Sequence, residues 1–363
     1  MTRTMNSPSA PGASDRPPSG QAASFVRDLN LPYPFLLFLG NSTDAAYAKT
    51  AFGLRDWAHE RCIGEFACPG STTTVGFARM TPAAARAAGA RSVVIGIANI
   101  GGAIASSWIP PLVACIEAGL DVISGMHGKL EDTAELRAAA ARCGRSLINV
   151  RTPPGNIPVA TGRKRAGKRL LTVGTDCALG KKYTALALTR AFRKSGQEAD
   201  FRATGQTGIL IAGAGIPIDA VVADFVAGAA EMLSPDASPG HWDVIEGQGS
   251  IFHPSYAGVS LGLLHGSQPD VIVLCHQVGR DRVLGLEDYP TPSLTEAMQL
   301  TLTLARRTNP AVRCAGISLN TSRLSADEAH AVVTEHAARL QLPVADPMRG
   351  GAEFDRLVEA CLA

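Results

Sequence analysis

The sequence has almost no excess of charge, with 34 Lys and Arg against 32 Asp and Glu and a formal net charge of +2. This balance gives no reason to expect a nucleic-acid surface. A second absence is a paired set of metal-binding cysteines, because Cys62 and Cys68 have no matching pair elsewhere. That argues against a zinc site, and the eight scattered cysteines favour a reducing, cytoplasmic location.

The sequence also lacks a long uninterrupted apolar run. Residues 1–24 contain no apolar block, so we expect a disordered tail there and no secretory signal. The stretch 93–116 carries no charge, but paired glycines and paired prolines divide it into a strand, a loop and the start of a helix. We therefore expect a chain with no membrane partner, and its 363 residues predict two domains.

Short apolar runs alternate with helical periodicity along the whole chain. In the first half, strands are expected at 35–40, 92–99, 121–125 and 146–150, and helices at 44–57, 110–119 and 131–144. In the second half, strands are expected at 170–173, 199–203, 242–246, 270–275 and 312–319, and helices at 181–195, 219–233, 293–307, 325–339 and 351–362. Such alternation is typical of the α/β class, with parallel sheets covered by helices.

The order of these elements predicts a two-domain organisation. A Rossmann-like parallel-sheet domain is expected at 25–150, although no G-x-G-x-x-G fingerprint follows its first strand. A linker at 151–168 then leads into an α/β domain of the P-loop NTPase type at 169–363. The basic residues 163–169 are interpreted either as part of a solvated connector or as a cationic strap near a phosphorylated ligand.

A glycine-rich segment in the second half is typical of a phosphate-binding loop. Gly174 follows the strand 170–173, and Gly180 and Lys181 open a helical run, so backbone N–H groups and the helix dipole favour an anion. The alternative is a glycine-rich turn without a ligand. The candidate binding residues are Gly174, Thr175, Asp176, Cys177, Ala178, Leu179, Gly180, Lys181, Lys182, Tyr183 and Thr184.

The loop departs from the usual pattern at one position. A Ser or Thr normally follows the lysine and holds magnesium on the nucleotide, whereas this chain has Lys182 there. An ammonium cannot ligate a cation, so no metal is expected. A second positive charge suits a more anionic ligand, such as the phosphates of coenzyme A.

Polar residues at the carboxyl ends of later strands are candidates for catalysis and substrate binding, because ligands of open parallel sheets lie at that edge. Glu246 is interpreted as a general base, a magnesium-associated carboxylate or a structural acceptor of loop amides. Arg280 and Arg282, with His276, suit recognition of carboxylates, although exposed arginines are common. Asn320 is a candidate donor to a base or a substrate amide.

Three further features are open to two interpretations each. Asp224, Gly228 and Glu231 are expected on one face of the helix 219–233, where the glycine would admit a backbone or a ligand between the carboxylates. A solvated acidic face explains these charges equally well. Cys177 either fills space or carries an acyl group, since a helix N-terminus lowers a thiol pKa. His253 is a weaker candidate for chemistry, since a histidine beside a proline in a loop is more often structural.

Four long blocks of the second half resemble a known family: "VGTDCALGKKYTALAL", "FRATGQTGILIAGAGIPIDAVVADFVAGAAE", "WDVIEGQGSIFHPSYAGVSLGLLHGSQPD" and "GISLNTSRL". They are similar to the DgcN-like D-glutamate N-acetyltransferases, formerly proteins of unknown function, and the resemblance covers residue 35 to the C-terminus. It implies transfer of an acetyl group from acetyl-CoA to the amine of D-glutamate, giving N-acetyl-D-glutamate in D-amino acid catabolism.

A remoter similarity is to dethiobiotin synthetase, which also places Gly-Thr-Asp at the start of its loop and an acidic Glu-Gly segment after a later strand. Three functions therefore compete. An N-acetyltransferase is favoured, with Glu246 as base, Arg280 and Arg282 on the substrate carboxylates, and loop N–H groups on the oxyanion. The others are an ATP-dependent ligase or kinase, which Lys182 argues against, and a non-catalytic coenzyme A or nucleotide sensor. The oligomeric state stays open, a homo-oligomer included.

Overall fold

The computed structural model describes residues 29–363, and the tail predicted at 1–24 lies outside this range. A five-stranded parallel sheet forms the first half, in the order β2-β1-β3-β4-β5. Its strands are β1 (Phe35–Phe38), β2 (Cys62–Phe66), β3 (Ser92–Ile95), β4 (Asp121–Ser124) and β5 (Leu147–Asn149). The helices of this half are α1 (Lys49–Trp57), α2 (Pro82–Ala87), α3 (Ile109–Glu117) and α4 (Ala134–Cys143).

A six-stranded parallel sheet forms the second half, in the order β13-β12-β9-β6-β8-β7, and an antiparallel hairpin, β10-β11, stands apart from it. The strands are β6 (Lys168–Gly174), β7 (Ala199–Arg202), β8 (Trp242–Ile245), β9 (Val271–Gln277), β10 (Arg282–Val283), β11 (Leu286–Pro290), β12 (Arg313–Asn320) and β13 (Val344–Ala345). The helices are α5 (Lys181–Lys194), α6 (Gln206–Ala212), α7 (Val226–Leu233), α8 (Ala257–Ser267), α9 (Leu294–Ala305), α10 (Ala326–Leu340) and α11 (Gly351–Leu362).

Two parallel sheets with helices confirm the predicted α/β class, while the exact domain boundaries stay predictions. Several elements had not been predicted, among them β2, α6 and α8. Strand β2 carries a buried carboxylate, Glu65, which accepts a hydrogen bond from the Val75 N–H at 2.8 Å. Helix α8 contains three glycines, a composition that disfavours helix in isolation, and Gly262 and Gly266 allow close packing against α7.

The helix predicted over 219–233 is wrong in its first half. Short 3-10 turns occupy Ile218–Ala220 and Ala223–Phe225, and regular α-helix begins only at Val226. The extended backbone of Val221 and Val222, with ψ of 138° and 137°, separates the turns, as suits β-branched residues. Asp224 therefore does not share a helical face with Glu231.

The basic segment before β6 is a solvated connector in part, since Arg163, Lys164 and Lys168 are exposed, but two of its arginines are structural. Arg165 is buried and donates to the Ser234 carbonyl at 2.7 Å and the Gly266 carbonyl at 2.8 Å. Arg169 is fully buried and also donates to main-chain carbonyls, including that of Pro235 at 2.8 Å. These guanidiniums fasten the linker to the ends of α7 and α8, away from any candidate ligand.

One hydrophobic core joins the two halves of the chain. The apolar cluster around β1 and β3 also contains Leu186 from α5 and Ile209, Leu210 and Ile211 from α6. A buried hydrogen bond links Thr50 of α1 to Thr207 of α6 at 3.0 Å. The two domains are therefore packed against each other by an apolar interface, which fixes the cleft between them. Across residues 29–363, the helices fall short of the length and apolarity that crossing a bilayer requires.

We predict that Gly228→Ala lowers the free energy of unfolding by about 2 kcal/mol, because a β-carbon there would overlap the Pro158 carbonyl oxygen of the linker. Urea unfolding measures this difference. Gly258→Ala in α8 is the control, since a β-carbon there meets nothing within 4 Å and alanine favours helix. Equal stability of the two variants would contradict the proposed contact.

Candidate active site

A cavity of about 810 Å³ lies between the two domains, within the size range of small-molecule sites. The second domain contributes the loop after β6 and the carboxyl ends of β8 and β12. The first domain contributes four side chains. The lining includes residues 177–184, 246–249, 318–320 and 346–349 on one side, and Lys49, Phe52, His127 and Arg151 on the other.

The loop after β6 has the geometry of an anion-binding nest. Ala178 adopts a left-handed conformation with φ of 53°, and Gly180 precedes α5 with φ of 112°. Gly180 provides no side-chain cap, and the N–H groups of residues 178–180 donate to no acceptor within 29–363. Free N–H groups at the start of a 14-residue helix are suited to bind an anion.

Lys181 lies across this loop. Its Nζ donates to the Asp176 carbonyl at 2.7 Å, and the side chain is buried against Gly174 and Gly247. Burial lowers the pKa of the Lys181 ammonium. The lysine therefore braces the loop and brings positive charge directly beneath the nest.

Asp176 fixes the outer side of the loop, together with Arg280. The Asp176 carboxylate accepts from the Cys177 N–H at 2.6 Å, from Arg280 Nη1 at 3.1 Å and from the Leu284 N–H at 2.9 Å. Arg280 also donates to the Cys177 carbonyl at 2.7 Å. The guanidinium predicted to bind substrate is thus engaged by the loop itself, and it does not line the cavity.

The other substrate-binding candidates differ in their placement. Arg282 is exposed on the hairpin strand β10, outside the cavity lining. His276 Nδ1 lies 2.9 Å from Thr175 Oγ1, and burial lowers the pKa of this imidazole to about 4. Asn320 does line the cavity, and its Oδ1 accepts from the Ser322 N–H at 3.1 Å. The structure therefore brings Asn320 to the site and leaves the two arginines and His276 outside it.

The first turn of α5 connects the loop to both domains. Tyr183 donates to Asp56 of α1 at 2.6 Å, across the domain interface. Thr184 Oγ1 lies 2.7 Å from Ser318 Oγ of β12, so the hydroxyl nearest the usual magnesium position already has a protein partner. These contacts hold the helix start in place and orient its N–H groups toward the cavity.

Lys182 turns from the loop toward the first domain. A β-carbon on Gly53 of α1 would lie 3.0 Å from Lys182 Nζ, so the ammonium reaches the domain interface. Burial lowers its pKa to about 8, against the attraction of Glu246 and Asp56. Lys49 also faces the cavity, and burial and Arg280 lower its pKa. Within residues 29–363 neither ammonium has a carboxylate within 4.0 Å, so both are available to an anionic ligand.

Glu246 is buried at the carboxyl end of β8 and lines the cavity. Its Oε2 accepts from the Thr204 N–H at 3.0 Å and the Gly205 N–H at 3.2 Å, while its Oε1 has no partner in the described part of the chain. Burial raises the pKa of this carboxyl, despite the opposing effects of Lys182 and the two N–H groups. A fixed carboxylate with raised basicity and one free oxygen is equipped to accept a proton.

Three atoms that could ligate a metal ion, one each from Asp176, Cys177 and His253, lie within 4.8 Å of one another. Two of these residues hold loop backbone in place. Both Asp176 oxygens accept hydrogen bonds, and His253 Nδ1 accepts from the Ser255 N–H at 3.1 Å. Burial raises the pKa of the Cys177 thiol, against the effect of Lys181. Whether Cys177 takes part in chemistry stays a prediction.

Sequence reasoning named none of Arg151, Asp219 and His127 as a site residue, although all three line the cavity. Arg151 was assigned to the linker, although it directly follows Val150 at the carboxyl end of β5. Ligands of open parallel sheets lie at the carboxyl ends of strands, which is why Glu246 was chosen as a candidate. The same rule, applied to the strand before Arg151, would have found this arginine. His127 belongs to the loop after β4, and burial and Arg151 lower its pKa.

Two family profiles match the chain. One describes a domain of unknown function (DUF1611_C), P-loop domain, over residues 158–358. The other describes a domain of unknown function (DUF1611_N), Rossmann-like domain, over residues 66–153. A crystal structure of a DUF1611 family protein from Anabaena variabilis is similar, with a TM-score of 0.81 and 32% identity over 90% of this chain and 98% of that one.

Two curated relatives carry a functional name. A D-glutamate N-acetyltransferase of Tritonibacter scottomollicae is 49% identical over 330 residues, which are 91% of this chain and 98% of the relative. A D-glutamate N-acetyltransferase of a Pseudoalteromonas species is 45% identical over 320 residues, which are 88% of this chain and 96% of the relative. The family resemblance drawn from the sequence is confirmed.

We predict that Lys182→Met raises the free energy of unfolding at pH 7 by about 1 kcal/mol, because methionine removes a desolvated ammonium. The folded pKa of about 8 lies below the value of 10.5 for a lysine side chain in water, so the unfolded chain binds more protons between these values. The destabilisation caused by the buried Lys182 ammonium is complete below pH 8 and disappears as the pH rises toward 10.5. Urea unfolding at several pH values measures it, with the exposed Lys194→Met as control. A destabilised Lys182→Met at pH 7 would contradict this account.

Proposed function

Because the chain belongs to the DUF1611 family and its curated relatives are D-glutamate N-acetyltransferases, we propose that it acetylates the amine of D-glutamate. The activity makes the chain an acyltransferase, and acetyl-CoA is the proposed donor. The observation that carries the proposal is an uncapped anion nest and a basic buried carboxylate facing the same cavity. The reaction belongs in the cytoplasm, in keeping with eight free cysteines.

The loop after β6 is the proposed site for the coenzyme A phosphates. Its free N–H groups, the helix dipole of α5 and the Lys181 ammonium all favour a dense negative charge. Lys49 adds a cation near Cys177 in the cavity lining. Lys182 occupies the magnesium-hydroxyl position and Thr184 is bonded to Ser318, so the loop is better suited to phosphates held by protein cations than to a nucleotide–magnesium pair.

The proposed chemistry is direct acyl transfer. The substrate ammonium loses a proton to Glu246 Oε1, and the resulting amine attacks the thioester carbonyl. The carbon–nitrogen bond forms, the tetrahedral intermediate collapses, and the carbon–sulfur bond breaks with the electron pair on sulfur. Protonated Glu246 returns its proton to the departing thiolate, and the second proton of the attacking nitrogen is released to solvent water. Lys182, which lies within electrostatic reach of Glu246, offsets the negative charge on the intermediate's oxygen.

Recognition of the substrate carboxylates requires cations other than the two arginines first considered. Arg280 is bonded to Asp176 and Cys177, and Arg282 is exposed on the hairpin. Cations that line the cavity are better placed, namely Lys182 from the second domain and Arg151 from the first. A dicarboxylate would thus be held between the two domains.

We predict that Glu246→Gln lowers turnover by roughly two to four orders of magnitude, because glutamine keeps the shape but cannot take a proton. Thiol release from acetyl-CoA is followed with a panel of D- and L-amino acids. The native chain is expected to prefer D-glutamate, and acetyl-CoA affinity should be the same in the variant.

The exposed Glu117→Gln in α3 is the matched control and should retain native turnover. Near-native turnover of Glu246→Gln would remove this residue from the mechanism. If the native chain releases no thiol with D-glutamate under any condition, the proposed function itself is wrong.

A further inference from the structure

An ion pair that lines the cavity joins the two domains. Arg151 Nη2 lies 2.9 Å from Asp219 Oδ2 and 2.9 Å from Gln206 Oε1. The Arg151 side chain is 11% exposed and that of Asp219 is 26% exposed, and both line the cavity. Arg151 follows β5 of the first domain, whereas Asp219 lies in the 3-10 turn after α6.

The pair leaves one donor and one acceptor unmatched. Arg151 Nε and Asp219 Oδ1 are both buried and have no hydrogen-bond partner in the range 29–363. Most buried polar atoms in folded proteins are paired, and an unpaired one destabilises the fold. Here the two unpaired atoms belong to adjacent side chains of opposite charge that line a cavity. We therefore infer that a bound ligand supplies their missing hydrogen-bond partners.

The surroundings favour a zwitterion over a simple anion or cation. Asp219 and Arg151 balance each other, and the neighbouring His127 has a pKa lowered by burial and by Arg151, which favours its neutral form. Glu246 is the next carboxylate, and it lies close enough to Asp219 for the Asp219 charge to raise the Glu246 pKa. A ligand with both an anion and a cation would keep the charge of this wall balanced.

We propose that Arg151 and Asp219 bind the α-carboxylate and the ammonium of the amino-acid substrate. The guanidinium donates to the carboxylate, and Asp219 Oδ1 accepts from the ammonium. Because Nε and Oδ1 are shielded from solvent, binding separates the two side chains and turns them toward the cavity they line. This assignment rests on the proposed acetyl transfer, and it places the substrate nitrogen near Glu246, which lies close enough to Asp219 to be affected by its charge.

The test uses Arg151→Lys and Asp219→Asn in the full chain. Each variant should raise the KM for D-glutamate at least about 30-fold, because a charge-assisted contact to a carboxylate or an ammonium is lost or degraded. The Kd for acetyl-CoA, measured by calorimetry, should be unchanged. Arg142→Lys and Glu117→Gln alter an exposed ion pair of similar length and should leave both quantities as in the native chain.

Two truncated ligands separate the roles of the two side chains. Glutarate keeps the carboxylates but lacks the ammonium, so its inhibition constant should rise in Arg151→Lys and stay unchanged in Asp219→Asn. 4-Aminobutanoate lacks the α-carboxylate, so its affinity should fall in Asp219→Asn and stay unchanged in Arg151→Lys. A purely structural role would weaken both ligands, or neither, in both variants.

Direct calorimetric binding of amino acids distinguishes failure of this assignment from failure of the proposed function. If the native chain binds an amino acid without transferring acetyl to it, the function is wrong, and the assignment survives only if both variants weaken that binding. The assignment is overturned if the variants bind amino acids as the native chain does, if acetyl-CoA affinity falls equally, or if the folded native chain binds no amino acid. Melting curves establish that each variant is folded, and either variant alone can refute the assignment.

Discussion

The apolar interface between the two domains is the constraint on which the site depends. Leu186 and the helix 206–212 belong to the second domain by sequence, yet they complete the hydrophobic core of the first. Burial of these side chains holds the first-domain loops over the carboxyl edge of the second sheet. Without this packing, the phosphate loop would face solvent, and Arg151 would have neither Asp219 nor Gln206 as a partner.

Electrostatics within the cleft follow from this arrangement. The phosphate loop provides free N–H groups and Lys181, and Arg151 and Asp219 add a balanced ion pair to the cavity lining. Glu246 and Lys182 line the same cavity, and each moderates the effect of burial on the other's pKa. These charges suit a reaction that brings an anionic acyl donor and a zwitterionic acceptor together in one cavity.

Sequence patterns were sufficient for features that depend on local chemistry. The loop from Gly174 to Lys181 and the position of Glu246 follow from strand ends and glycine spacing, which neighbouring residues determine. The role of Arg280 depended on Asp176, a partner 104 positions away, so no local pattern could reveal that its charge was already engaged. The glycines of α8 disfavoured helix locally, and the packing against α7 that stabilises it is a tertiary contact. Arg151 and Asp219 meet only because the domains dock.

Hydrogen–deuterium exchange of the full chain tests most directly whether one interdomain cavity receives both substrates. Coenzyme A alone should slow exchange in residues 177–184, and coenzyme A with D-glutamate, a pair that cannot react, should also slow it in 125–129, 149–151 and 202–206. The first effect reflects N–H groups bound to phosphate, and the second reflects closure of the segments around His127, Arg151 and Gln206 on the amino acid. Protection confined to one domain with both ligands present, or no protection in the loop, would contradict the account.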